Sequence, residues 1–324
     1  MADFATWLTN LVYAAVLAGT PLLFGTLGEI ISEKAGCVNL GVEGMMWMGA
    51  VAGFYVAYRT DNLILAMLAA FLIGVVCALI FAFITITLQA NQNVTGLTLT
   101  TFGIGLAYVL GFAMNESNNG YAPTLSPELV STAVSGIHIP LLSDIPYIGK
   151  MFFQHNILVY VAVLLSVGAF WYFSRTRAGL NVRAVGENPA AADAAGVNVT
   201  LARYVHVLVG GGICAMGGAY MSIVMANGSW QTGGIVNGQG WIAVALVIFS
   251  SWSPAKVIFG SMLFGLFSRL QQYVPKSVVD IPVAIYTMLP FVLTTLVLII
   301  SSIRSSKKNP QPAANGQNYF REDR

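Results

Sequence analysis

Two carboxylates, Glu29 and Glu43, stand inside long apolar runs of the sequence. An ionised carboxylate surrounded by hydrocarbon needs a partner, a hydrogen-bonding shell or water, and such groups commonly mark a transport path or a proton relay. Lys34 is close enough in sequence to compensate Glu29, Glu33 or Glu43. Two readings therefore stand side by side: a charge cluster that fixes the turn between the first two apolar runs, or a role along a path. A second polar group opens a later run, Asn91-Gln92-Asn93-Val94-Thr95-Gly96, followed by Thr98, Thr100 and Thr101. Amides and hydroxyls at this density suit a polar, uncharged ligand rich in hydroxyl groups. They also hydrogen-bond between helices in any membrane bundle.

Catalytic clusters are missing. No G-x-x-x-x-G-K-[ST] loop and no H-E-x-x-H pair occurs, so the chain holds neither ATP nor zinc by those means. No carboxylate pair has the density that binds magnesium diphosphates. Ser253-Pro254-Ala255-Lys256 matches S-x-x-K, but lacks the S-D-N and K-T-G partners and is read as chance. His138, His155 and His206 are isolated, and Cys37, Cys77 and Cys214 have no metal or CxxC spacing. No catalytic or metal-binding residue is assigned.

The elements that must carry these groups follow from composition. Of 324 residues 56% are hydrophobic and 9% are Asp, Glu, Lys or Arg. A soluble domain carries about 25% charged residues, so the chain is read as an all-α polytopic membrane protein. The net charge of +2 is dispersed between apolar runs and gives no sign of nucleic acid binding. Nine apolar spans are expected, at about 11–31, 38–58, 63–88, 94–114, 156–174, 204–226, 233–252, 255–273 and 283–303. Residues 1–303 then form one transmembrane domain, with a polar tail at 304–324 that is expected to be disordered. The 175–203 loop carries four arginines and the tail five basic residues. The positive-inside rule makes both cytoplasmic and puts the N-terminus outside. Eleven Lys and Arg then fall inside and four outside.

The outer connection 115–155 contains Pro123, Pro127, Pro140 and Pro146, and its second half reads as a segment lying on the membrane surface. The seventh span is weak. Its apolar part, Trp241 to Phe249, is too short to cross alone and must borrow Gly233, Gly234, Asn237, Gly238, Gln239 and Gly240. The second span begins in the same way, with Asn39, Gly41, Glu43 and Gly44. Polar, glycine-interrupted span starts in both halves are the pattern of a transport path. Close packing through Gly49-x-x-x-Gly53 is the competing explanation. The candidate path residues are Asn39, Glu43, Asn91, Asn93, Thr95, Asn237, Gln239 and Trp241.

The inner loop is more specific. Residues 188–196 spell a very short helix: Asn188 as cap, Pro189 at the first helical position, alanines, and Gly196 as the stop. Two turns are marginal in water, so this helix needs something to dock against. Glu187 and Asp193 give it an acidic edge. A short cytoplasmic helix of this kind has the shape of a coupling helix that fits a groove on an ATPase subunit, with Glu187, Asn188, Pro189, Ala192, Asp193 and Gly196 as contact residues. A solvated connector is the alternative.

Four ordered segments then resemble a known family. The run from Gly28 to Met46 (GEIISEKAGCVNLGVEGMM) resembles the opening of permease subunits of ABC importers for nucleosides and simple sugars, within the ribose and branched-chain amino acid permease superfamily. Ala184 to Gly196 (AVGENPAAADAAG) resembles their coupling segment; Gly238 to Phe249 and Ile139 to Gly149 resemble two further signatures. Gln239 stands where a basic residue is usual, and Ala191, Ala192 and Asp193 where bulkier or more acidic residues are common. The resemblance implies a multi-pass permease of a bacterial inner membrane, with no cofactor of its own. Its implied partners are a second homologous permease chain, a cytoplasmic ATPase that carries ATP and magnesium, and an extracytoplasmic binding lipoprotein, all in contact with membrane lipid. Nucleosides are the implied ligand class, with ribose or another sugar as the alternative. An ion-coupled secondary transporter using Glu29 or Glu43 is a rival from another class.

Overall fold

A computed structural model of the chain describes residues 2–273 and 311–321, together with separate helical positions between 285 and 299. The ninth expected span, 283–303, lies for the most part outside the described residues.

Among the described residues five helical stretches are long and apolar enough to cross a membrane: Phe4–Lys34, Leu63–Thr87, Gln92–Ser117, Ile157–Arg175 and Val199–Met225. They belong to helices α1 (Ala2–Lys34), α3 (Leu63–Ala82), α4 (Gln92–Ser117), α7 (Ile157–Arg175) and α10 (Val199–Tyr220), with α3 and α10 each ending in a π-helical turn. Two less apolar helices, α2 (Val42–Thr60) and α12 (Pro254–Tyr273), are of 19 and 20 residues. Seven of the nine expected spans are thus continuous helices. The connection after α4 holds α5 (Pro127–Val134) and α6 (Ile148–Phe152), of eight and five residues, and neither can cross.

Burial divides the helices into two groups. The most apolar windows of α1 and α10 are 78% and 83% buried, whereas those of α3, α4 and α7 are 33%, 33% and 28% buried. So α1 and α10 form the centre with α2, and the other three turn much of their surface outward. The centre is built on small residues. Gly210 of α10 lies against Gly28 of α1, Gly211 against Gly74 of α3, and Gly49 and Gly53 of α2 against Ala215 and Ala219. Without a hydrophobic drive between helices in lipid, such close backbone contact is what holds them together. The packing reading of Gly49-x-x-x-Gly53 therefore holds at the α2–α10 crossing. Gly218 is the tightest point, because an added Cβ would fall within the Met46 peptide group of α2. We expect Gly218→Val to push α2 from α10 and cost more than the ~1–3 kcal/mol typical of overpacking, seen as a lower melting temperature in detergent. Gly105→Ala, which meets nothing within 4 Å, should melt like the parent protein; equal melting of both variants would refute the close-packed crossing.

The two ends of the bundle are distinct. At one end Lys150 Nζ donates to Asn10 Oδ1 at 2.8 Å and Trp7 Nε1 donates to the Tyr273 carbonyl at 2.8 Å. At the other end lie the last turn of α1, the start of α4, and helices α8 (Arg177–Glu187) and α9 (Pro189–Ala194). The described part of the tail departs from the disorder expected of it. Residues 311–321 are docked at this same end, where Ala314 N donates to the Gly186 carbonyl at 2.9 Å and Ala314 is buried. Polar composition suggested solvation, but the Glu33 carboxylate of α1, the Gly36 carbonyl after it, the Gly186 carbonyl of α8 and the Gln89 and Ala90 carbonyls before α4 supply the partners that water would otherwise provide.

Candidate functional site

Helix α11 (Gln239–Phe249) has 11 residues. It is therefore about 16 Å long, half of a hydrocarbon core of about 30 Å. The expected span 233–252 is not a continuous helix, because the borrowed residues stay outside it. Instead the chain returns from the C-terminal end of α10 in turns. Thr124 pairs with Ser229, Asn115 Nδ2 of α4 donates to Thr232 Oγ1 at 2.9 Å, and Gly233 lies beside the Tyr108 ring. Asn237 and Gly238 then take left-handed conformations (φ +46° and +81°), and α11 starts. Glycine adopts that conformation freely, which explains Gly238 at the cap.

A glycine cap has no side chain to satisfy the first helical donors. Glu43 of α2 supplies the acceptor from 195 residues away. Its Oε1 accepts from Gly238 N at 2.9 Å and its Oε2 from Gly240 N at 2.6 Å. Trp47 Nε1, one turn along α2, donates to the same Oε1 at 3.2 Å. A carboxylate at a helix N-terminus also meets the positive end of the helix dipole. Gly240 is required by proximity, since a Cβ there would overlap the backbone of Glu43. The Trp47 ring stacks obliquely on Tyr108 of α4 at 5.2 Å. Glu43 thus ties α2, the half-helix and α4 into one unit. Its oxygens are met by backbone and indole donors, with no direct ion pair among the described residues.

The other candidates separate into two groups. Asn39 is buried and turned into its own chain: Oδ1 accepts from Gly41 N at 2.9 Å and caps the approach to α2. Its backbone N–H donates to Glu29 Oε1 at 2.8 Å, so Glu29 does fix the turn between the first two spans. Lys34 forms no ion pair with these carboxylates among the described residues. Glu33 instead accepts from the indole of Trp252 and from Asn315 Nδ2. Asn237 and Trp241 are exposed, and Gln239 is half-buried with an Oε1 that has no partner among the described residues. Asn91, Asn93 and Thr95 sit at the N-terminal start of α4. Asn91 Oδ1 caps Val94 N at 3.1 Å, Thr95 Oγ1 donates to the Asn91 carbonyl at 2.8 Å, and Asn93 is exposed. Beyond them Thr98, Thr101, Phe102 and Gly105 form an exposed stripe along α4. Trp47 and Tyr108 were missed in the sequence because apolar runs are full of aromatic residues. Only the cross-helix contact distinguishes these two.

At the end of the bundle where the tail docks, α9 has the capping read from the sequence. Asn188 Oδ1 accepts from Ala191 N at 3.0 Å, Pro189 opens the helix, and Gly196 stands at φ +86°. The expected outward placing of Ala192 is corrected. Ala192 is buried against Val185 of α8 and Val199 of α10, and the exposed residues are Ala190, Ala191, Ala194 and Ala195. Glu187 and Asn188 are exposed, and Asp193 is partly covered.

Comparison with known proteins decides what kind of bundle this is. Residues 10–299 match the family model described as the branched-chain amino acid transport system permease component. The chain belongs to that permease family. TsgC13 of Haloferax volcanii, provisionally named a glucose ABC transporter permease, is 41% identical over 83% of this chain and 78% of its own length. The nucleoside ABC transporter permease NupC of Lactococcus lactis is 33% identical over 94% of this chain and 95% of its own. The guanosine ABC transporter permease NupQ of Bacillus subtilis is 30% identical over 98% and 99%. Each of these organisms also holds a second, more distant permease that matches. The permease is an integral membrane transport subunit of the ABC class. The class excludes the ion-coupled rival, and the donors around Glu43 give its charge a structural use.

Proposed function

We propose that this permease is one membrane-spanning half of an ABC importer for nucleosides, and that ligand passes along the face formed by α4, the descending segment 231–238 and the start of α11. The carrying observation is the interrupted seventh span. It leaves an exposed amide (Asn237), a half-buried amide whose Oε1 has no partner among the described residues (Gln239) and an exposed indole (Trp241) at the start of α11, while the turns before them run along Asn115 and Tyr108 of α4, a helix that also carries exposed hydroxyls and Phe102. Aromatic faces for a base and amide or hydroxyl groups for a ribose suit a nucleoside. Relatives named for nucleosides and guanosine match over nearly the whole chain. A simple sugar is the second reading, favoured by the 41% identity to TsgC13.

In this reading a second homologous permease completes the path. A cytoplasmic ATPase holds ATP and magnesium, and an extracytoplasmic binding protein delivers ligand at the outer end. ATPase closure moves α9, and the bundle alternates between outward and inward opening. Asn39 and Glu43 hold the backbone of the path; Asn237, Gln239 and Trp241 face the ligand. Asn91, Asn93 and Thr95 would line its inner exit. The test is uptake by proteoliposomes that hold the complete transporter, with labelled guanosine or adenosine set against glucose and ribose. Nucleoside uptake resistant to a hundredfold excess of sugar is expected. Sugar uptake with no nucleoside uptake would overturn the ligand assignment.

A further inference from the structure

The docked tail touches every element that meets at the inner end. Asn315 Nδ2 donates to Glu33 Oε2 of α1 at 2.6 Å, on the oxygen that also accepts from Trp252 in the turn before α12. Gly316 N donates to the Gly36 carbonyl at 3.2 Å. Asn318 Nδ2 donates to the Gln89 and Ala90 carbonyls, and Gln89 Nε2 returns a bond to the Tyr319 carbonyl at 3.1 Å. The segment thus bridges the α1–α2 turn and the α3–α4 corner, and shares the Glu33 carboxylate with the turn before α12.

Its last described residues grip α9. Tyr319 Oη donates to Asp193 Oδ2 at 2.9 Å, and Arg321 Nε lies 3.2 Å from the same oxygen. The Tyr319 ring also packs on the small cluster of Val185, Ala192 and Val199 on which α9 sits. A helix of six residues cannot hold its own position, and that three-residue cluster is a small seat. The tail adds an aromatic wall and two bonds to one carboxylate, with the carboxylate side chain 13% exposed.

We propose that residues 311–321 are a strut that fixes α9 to the inner ends of α1 and α4, with Tyr319 and Arg321 as positioning residues acting through Asp193. Motion imposed on α9 is then transmitted to α4, which borders the path, as well as to α8 and α10, which flank α9 in sequence. The inference rests on the reading that α9 receives the ATPase.

The experiment uses the complete transporter in proteoliposomes. Three permeases are compared with the wild type: one ending at residue 310, Tyr319→Ala/Arg321→Ala, and Arg321→Lys. Ligand transported per ATP hydrolysed should fall about tenfold or more in the first two, the shift expected from losing a hydrogen bond to a charged group. Arg321→Lys, which keeps a cation beside Asp193, should recover most of that ratio. A purely structural tail would lower the amount of inserted protein and leave the ratio unchanged. A wild-type ratio in the double variant overturns the strut, whether or not the truncated chain inserts. Cross-linking from Ala191→Cys to the ATPase, measured on the otherwise wild-type permease, separates the two ideas. No cross-link would refute the α9 reading itself, whereas a cross-link with unaltered tail variants would refute only the strut.

Discussion

Glu43→Ala should bring uptake below detection while the chain still inserts in the membrane. The carboxylate accepts from Gly238 N, Gly240 N and the Trp47 indole, and it is buried. Alanine leaves these donors with no acceptor in a place where water has little access. Each stranded donor costs about 1–3 kcal/mol, enough together to unwind the start of a helix that has only 11 residues. Glu43→Gln keeps one acceptor oxygen and turns an amide towards the second backbone donor, so a reduced but measurable uptake is expected. Uptake in proteoliposomes gives the main reading. A cysteine at position 237 gives the local one, through its rate of reaction with a small water-soluble thiol reagent. That rate should rise in Glu43→Ala, because the left-handed turn at Asn237 and Gly238 loses its anchor. Wild-type uptake in Glu43→Ala would mean that α11 is held elsewhere and that the interrupted span is no functional unit.

Ala191→Trp should abolish ligand-stimulated ATPase activity and recovery of the ATPase in a pull-down, with normal insertion. Ala191 is on the exposed side of α9 together with Ala190, Ala194 and Ala195. A two-turn helix can present only one narrow face to a groove, so one indole on that face lifts the whole contact. Ala192→Trp should act differently. Ala192 is 4% exposed and rests on Val185 and Val199, so the indole has no room and α9 leaves its seat. Faster proteolysis between residues 188 and 198 would report that release, and Ala191→Trp should be cut no faster than the wild type. Equal ATPase recovery and normal transport in Ala191→Trp would make this loop a mere connector.

Local chemistry made much of this protein legible from sequence. Apolar runs long enough to cross a bilayer gave the spans, since backbone groups in hydrocarbon must bond within their own helix. Asn188, Pro189 and Gly196 gave α9, since a cap, a first-turn proline and a glycine stop act on neighbours only a few residues away. Weak hydropathy at 233–240 also marked the interrupted span. What the tertiary structure alone decided involves partners far apart in the chain. Glu43 looked like a charge in search of a cation, but its donors lie at Gly238 and Gly240. Glu33 looked like a partner for Lys34, but it accepts from Trp252 and Asn315. The polar tail looked solvated because composition measures the need for hydrogen bonds and not who satisfies them. The buried side of α9 was hidden for a related reason: a run of alanines has no contrast between its faces, so only the position of Val185 and Val199 decides that Ala192 turns inward.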